Sequence, residues 1–161
     1  MAARHRTKAF SLVELVIVVV ILGIIAAIAI PRITRGARGA ASSALRHDLG
    51  VLRSAIDHYV TEHGGALPLE ASFEAQMTTF TDEAGDDAAT PDATHLYGPY
   101  LRAIPPLPAS GVGASTGQQG ATKVSNTPAA DVGWLYDETT GVLSPNTGTA
   151  TDESGNPLSD Y

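Results

Sequence analysis

Residues 10–31 read FSLVELVIVVVILGIIAAIAIP, an apolar stretch that contains one carboxylate, Glu14. Residues 15–30 carry no charge, and the 21 residues from Phe10 to Ile30 would span about 31 Å as a helix. The hydrocarbon core of a bilayer is about 30 Å thick, so the stretch predicts a membrane-spanning helix. A buried core helix is the alternative, but a domain this small could hardly surround such a helix on all sides.

Charges on either side of the apolar run predict its orientation in the membrane. Residues 1–9 are basic and acid-free, which favours a cytoplasmic N-terminus, although Arg32, Arg35 and Arg38 follow the run and weaken the bias.

A cleaved secretory signal is the competing interpretation, because residues 27–29 (Ala-Ile-Ala) fit a small-x-small cleavage rule. Glu14 argues against it, since a disposable signal has no reason to carry a carboxylate in its apolar core.

Glu14 is the residue of the apolar segment that most needs an explanation. A carboxylate there costs about 2–3 kcal/mol on insertion scales, and no Lys or Arg lies within helical reach on the apolar side. A carboxyl that is protonated or reaches back to the membrane edge is one explanation. The other needs a cation: a cut between Ala9 and Phe10 would create an α-amine, and a neighbouring copy could bring that amine to Glu14. Such pairing would drive and register assembly.

These residues resemble a known family. The basic leader, Phe-Ser-Leu-Val-Glu-Leu at residues 10–15 and an apolar run ending at Pro31 are similar to the N-terminus of type IV pilins and type II secretion pseudopilins. The resemblance implies that a prepilin peptidase cuts after Ala9 and methylates Phe10, and that Glu14 forms the inter-subunit salt bridge. The family usually has Gly before the cut, so with Ala9 we expect cleavage to survive at a lower rate.

The resemblance also implies a function and a location. The chain looks like the major pseudopilin of a type II secretion system, a structural subunit without enzymatic activity. It would be a single-pass protein of the bacterial inner membrane with its head in the periplasm, assembled into a periplasmic homo-oligomeric filament. Its implied partners are the peptidase, the inner-membrane assembly platform, a cytoplasmic ATPase and minor pseudopilins.

Beyond the apolar run the pattern predicts that the helix continues. Pro31 kinks rather than ends many membrane helices. One helical face then carries residues spaced by three or four, and Gly64, Gly65 and Pro68 end the helix. The stripe consists of Ala41, Leu45, Leu49, Leu52, Ile56 and Tyr59. We therefore divide the chain into a leader (1–9), a membrane or filament-core helix (10–30), its amphipathic continuation (31–63) and a small head (64–161).

The head is rich in loops and predicts a small antiparallel sheet, giving an α+β, pilin-like fold. Residues 133–137 and 141–143 are expected to pair as a β-hairpin. Residues 98–101 predict a short helical turn that becomes extended towards residues 104–106. Residues 84–94 and 109–128 are poor in large apolar side chains and are expected to form mobile surface loops.

Composition excludes several classes of function. The chain carries 10 basic and 17 acidic residues, so nucleic acid is an unfavourable partner. It contains no cysteine, which rules out disulfides, thiolate metal sites and a cysteine nucleophile.

Catalytic and metal signals are weak. Residues 113–117 match G-x-S-x-G around Ser115, but the string lies in a low-complexity stretch rather than between a buried strand and a helix. The histidines do not have zinc-ligand spacing. No cofactor is expected, although calcium is considered because pseudopilins often hold it in a C-terminal acidic loop. The candidate ligands are Asp131, Asp137, Asp152 and Glu153, with a plain acidic surface as the alternative.

Other functions remain open at this point. A type IV pilus subunit for adhesion, motility or DNA uptake would share the chemistry of a pseudopilin and differ in the role of the filament. The absence of cysteine argues mildly against this alternative. A monomeric membrane-anchored binding protein would use its head to grip a ligand. A secreted hydrolase acting through Ser115 is a further alternative.

Overall fold

The computed structural model describes residues 11–113 and 116–161. Contacts divide the chain into two compact units, one ending at Ala37 and the other comprising Arg38–Tyr161. The architecture is α+β: a long N-terminal helix is followed by short strands and turns. This confirms the predicted fold class.

Helix α1, Leu12–Glu62, is 51 residues long and contains Pro31 without interruption. Pro31 has no N–H to donate, and the next turn is supported by the Thr34 hydroxyl, which donates to the Ile30 carbonyl at 2.9 Å. The helix ends where Gly64 adopts a φ of 63°. The Gly65 N–H then reaches back to the Val60 carbonyl at 2.8 Å, which satisfies a carbonyl of the last turn.

The second half of α1 supplies one wall of the hydrophobic core. The predicted stripe is buried from Leu45 to Tyr59, and Ser42 joins it. Opposite it pack aromatic and aliphatic side chains from the rest of Arg38–Tyr161, the largest being Phe73, Met77, Leu107, Trp134 and Tyr136.

A short helix that the sequence pattern did not predict lies between α1 and the first strand. Helix α2, Phe73–Thr78, follows a 3₁₀ turn at Glu70–Ser72. The prediction of a helical turn at residues 98–101 is wrong, because this segment contains no helix. Its Tyr100 and Leu101 N–H groups instead donate to the Met77 carbonyl of α2, at 3.0 and 2.8 Å. Those donors therefore dock the segment on α2.

Two small sheets complete the head. Strands β1 (Phe80–Thr81) and β2 (Asp87–Ala88) pair antiparallel. The second sheet has the order β3-β4-β5, formed by Lys123–Ser125, Val132–Tyr136 and Leu143–Pro145.

The predicted antiparallel pair is found in strands β4 and β5, but the second strand begins at Leu143, two residues later than predicted. Trp134 lies opposite Pro145 and Tyr136 lies opposite Leu143. Alternate side chains of β4 face the core, where the Trp134 indole donates to the Pro105 carbonyl at 2.8 Å. The Tyr136 hydroxyl likewise donates to the Pro68 carbonyl at 3.0 Å. These bonds satisfy the polar ends of two buried aromatic rings.

Strand β3 adds a feature that the sequence pattern did not predict. It runs parallel to β4, with a register irregularity between Lys123 and Val124. It lies within residues 109–128, for which the sequence predicts a mobile surface loop, so that prediction is wrong for Lys123–Ser125. Small residues explain the close packing there: a Cβ on Gly133 would clash with the carbonyl oxygen of Ala121.

Candidate functional site

The first turn of α1 is built around Ser11 and Glu14. The Leu15 N–H donates to the Ser11 carbonyl at 3.2 Å, which places Ser11 at the N-cap. The Ser11 N–H in turn donates to Glu14 Oε2 at 3.0 Å. This is the reciprocal half of a capping box, in which an acidic residue three positions into the helix accepts from the backbone of the cap.

Sequence reasoning missed this role of Glu14, although the signal was present. Ser11-Leu12-Val13-Glu14 is the S-x-x-E pattern of a capping box directly before an apolar run. The Ser11 amide gives the carboxylate a hydrogen bond but no opposite charge. Among the residues that the structure describes, no cation pairs with Glu14.

The surface that follows Glu14 is apolar and uncovered. The large side chains from Leu15 to Ile30 are all exposed, with Val18 48% and Ile30 62% accessible. The helix is long and apolar enough to cross a membrane. An exposed apolar surface of this length needs lipid or other apolar helices around it.

The predicted processing residues Ala9 and Phe10 lie outside the described residues, and so does Ser115 of the G-x-S-x-G string. The structure therefore does not test the cleavage and methylation predictions or the position of Ser115.

The carboxylates considered for calcium have separate partners. Asp131 pairs with Lys123 at 3.0 Å, which lowers the pKa of this carboxyl. Asp137 accepts from the Thr139 hydroxyl and N–H at 2.6 and 2.9 Å, and these bonds lower its pKa to about 2.

The other two carboxylates hold the C-terminal segment. Asp152 is 8% exposed and accepts from the Tyr161 hydroxyl at 2.7 Å. Glu153 accepts from the hydroxyl of Ser42 on α1 at 2.9 Å. Within residues 11–113 and 116–161, no three His, Asp or Glu side chains form a group that could hold a metal ion. The structure thus does not bring the four candidate ligands together.

Two histidines, His63 and His95, also have partners within the fold. His63 is buried and stacks on Tyr59, with ring centroids 3.8 Å apart. Its Nδ1 lies 2.8 Å from the Tyr59 carbonyl and its Nε2 lies 3.1 Å from the Thr81 hydroxyl. His95 lies 2.9 Å from Asp92 at the surface. Each of these two rings is therefore engaged by its own local partners.

Comparison with models of protein families identifies a motif at the N-terminus of the chain. Residues 4–30 match the model of the prokaryotic N-terminal methylation motif. No curated protein and no solved structure showed a significant match to the chain. The motif indicates a type IV pilin-like precursor whose apolar N-terminal helix suggests membrane anchoring, and it covers both Ala9–Phe10 and Glu14.

Proposed function

We propose that this chain is a structural subunit of a pilin-like filament, and more specifically the major pseudopilin of a type II secretion system. The observation that carries the proposal is a carboxylate, Glu14, in the first turn of an exposed apolar helix within an N-terminal methylation motif. The absence of cysteine and the β4–β5 hairpin support the narrower assignment.

Physical chemistry links Glu14 to assembly. A charge in an apolar medium costs several kcal/mol unless an opposite charge and hydrogen bonds compensate it. The Ser11 amide supplies a hydrogen bond at 3.0 Å and leaves the charge to be neutralised. Removal of residues 1–9 by a prepilin peptidase would supply an α-amine on Phe10, and the amine of a neighbouring subunit is the cation of the right sign.

The apolar helix then has two successive environments. Before assembly the residues from Leu12 to Ile30 lie in the inner membrane. In the filament the same surface packs against copies of itself, so that assembly exchanges lipid contacts for helix contacts. Growth is driven by a separate cytoplasmic ATPase through the assembly platform, and the filament pushes secreted protein outward.

Two substitutions of Glu14 separate charge pairing from helix capping. Glu14→Ala removes both, whereas Glu14→Gln removes the charge and keeps an acceptor for the Ser11 N–H. We expect both variants to be inserted, cleaved after Ala9 and N-methylated on Phe10, as read by mass spectrometry. We expect the yield of filaments that cross-link through the N-terminal helix to fall at least about tenfold in both, the equivalent of about 1.4 kcal/mol.

Glu74→Gln is the matched control, because Glu74 is an exposed helical carboxylate in the head. It should assemble as the wild type does. Wild-type filament yield from Glu14→Gln would show that capping, not charge, is what assembly needs from Glu14.

A deletion strain separates the two kinds of filament. Loss of exoprotein secretion with surface fibres intact supports the pseudopilin assignment. Loss of surface fibres with secretion intact would assign the chain to a type IV pilus instead.

A further inference from the structure

The first two of the three arginines that follow the apolar run of α1 lie close behind it. Arg32 and Arg35 are exposed, and they lie one helical turn apart and about 60° apart around the axis. Neither forms an ion pair with another described residue. Residues 15–47 contain no acid, so α1 itself offers neither of them a carboxylate at the three- or four-residue spacing that brings helical side chains together.

Their distance from the apolar run places them at the depth of lipid headgroups. With a rise of 1.5 Å per residue, Arg32 and Arg35 lie about 3 and about 8 Å beyond Ile30. The headgroup layer extends about 5–8 Å beyond the hydrocarbon on each side. Long side chains on a helix lean towards its N-terminus, here towards the membrane, so both guanidinium groups reach back into that layer.

The chemistry of that layer matches the two side chains. A guanidinium group binds phosphate oxygens through two parallel N–H bonds, and it keeps its charge at any physiological pH. Residues 64–161 carry 13 acidic and 2 basic residues, so an anionic membrane surface repels the head. Cations at the end of the apolar run offset that repulsion where the chain leaves the bilayer.

We propose that Arg32 and Arg35 form a binding site for the phosphate groups of anionic phospholipids in the leaflet where the helix leaves the membrane. This inference rests on the membrane insertion included in the proposed function. The site holds the unassembled subunit at a fixed depth, and its lipid contacts are given up when the subunit enters the filament. A carboxylate of a second copy is the rival occupant, but the continuity of the two arginines with the apolar surface favours lipid.

Lipid selectivity around the helix tests the proposal. The full chain is reconstituted in phosphatidylcholine vesicles that contain trace spin-labelled phosphatidylglycerol or spin-labelled phosphatidylcholine. The readout is the motionally restricted fraction of each label. We expect phosphatidylglycerol to be preferred, and we expect Arg32→Gln/Arg35→Gln to lower the preference about fivefold or more. The basic residues of the leader also attract phosphatidylglycerol, to the same extent in the wild type and in the double variant.

Arg102→Gln is the control for loss of a positive charge elsewhere, because Arg102 is an exposed arginine of the head. It should keep the wild-type preference, and each single variant, Arg32→Gln or Arg35→Gln, should lower it. Wild-type preference in the double variant overturns the lipid site, and so does an equal loss in Arg102→Gln.

Failure of the proposed function gives a different result. If the chain does not float with pure phosphatidylcholine vesicles, membrane insertion itself is wrong. If it floats with them and the double variant keeps its preference, insertion stands and only the arginine site is overturned.

Discussion

At the residue scale, the capping hydrogen bond of Glu14 and the neutralisation of its charge are separate requirements. Its carboxylate accepts from the Ser11 amide 3.0 Å away, which stabilises the first turn of α1. A hydrogen bond within the same chain does not remove the cost of the charge in an apolar medium. Capping of its own helix therefore leaves the carboxylate of Glu14 available for the proposed pairing with a neighbouring subunit. Gln and Ala are both needed to separate the two roles.

Asp152 is the other carboxylate whose surroundings decide its behaviour. Hydrogen bonds from the Tyr161 hydroxyl, from Asn156 and from the Ser154 N–H hold the pKa of this carboxyl well below its usual range. The folded state therefore favours the ionised form. Its contribution to stability is present above the ordinary carboxyl pKa of about 3.9 and is lost as the pH falls below it.

We predict that Asp152→Asn weakens the pH dependence of stability. The melting temperature of the wild type should decline between pH 5 and pH 2, and the variant should start lower at pH 6 and decline less steeply. Thermal melts in detergent, followed by the fluorescence of Trp134, measure both slopes. Equal slopes for the two proteins would show that Asp152 is not the group that titrates.

At the scale of elements, the sheet β3-β4-β5 depends on the close approach of two backbones. Strand β4 has Gly133 where a Cβ would overlap the carbonyl oxygen of Ala121. The loop around Ala121 is fixed by the Leu107 N–H, which donates to that carbonyl at 2.9 Å. A side chain at residue 133 must therefore push this segment away.

We predict that Gly133→Ala destabilises the head by about 1–3 kcal/mol, because overpacking displaces the segment that leads into β3. Gly50→Ala is the matched control: residue 50 is an exposed position of α1, and a Cβ added there would have no neighbour within 4 Å. Alanine there should stabilise the protein by up to about 1 kcal/mol, since it favours the helix. Denaturant unfolding measures both, and equal stability of Gly133→Ala and wild type would contradict the packing argument.

At the scale of the whole molecule, the hydrophobic core lies entirely within one unit. Every buried member of the core cluster, from Leu45 to Leu158, belongs to Arg38–Tyr161. Among the residues that the structure describes before Arg38, the large apolar side chains are exposed. The head can therefore fold in water by burying its own core, whereas the apolar helix needs lipid or other apolar helices around it.

We predict that residues 38–161, expressed alone, fold cooperatively and remain monomeric. The fragment keeps the core cluster and loses the apolar surface that requires lipid or other subunits. Near-ultraviolet circular dichroism and gel filtration test this expectation. A fragment without a cooperative thermal transition would show that the N-terminal unit is needed for the head to fold.

The sequence alone determined the elements whose hydrogen bonds and apolar faces are local. Helix α1 follows from an apolar run and from a stripe spaced by three and four residues, and each of its bonds joins neighbours four residues apart. The β4–β5 hairpin follows from two apolar segments joined by a short turn. The capping box is also a local feature, because Ser11 and Glu14 are three residues apart and directly precede an apolar run.

Tertiary structure alone decided the rest of the head. Nothing local in residues 109–128 specifies a strand parallel to β4, because that pairing depends on the space left by Gly133. The segment 98–101 is not helical because the Met77 carbonyl of α2 takes its N–H groups. Asp152 is held by side chains that only the fold brings to it. Small polar residues show no hydrophobic periodicity. The structure that they adopt is therefore set by the space and the hydrogen-bond partners that distant segments provide.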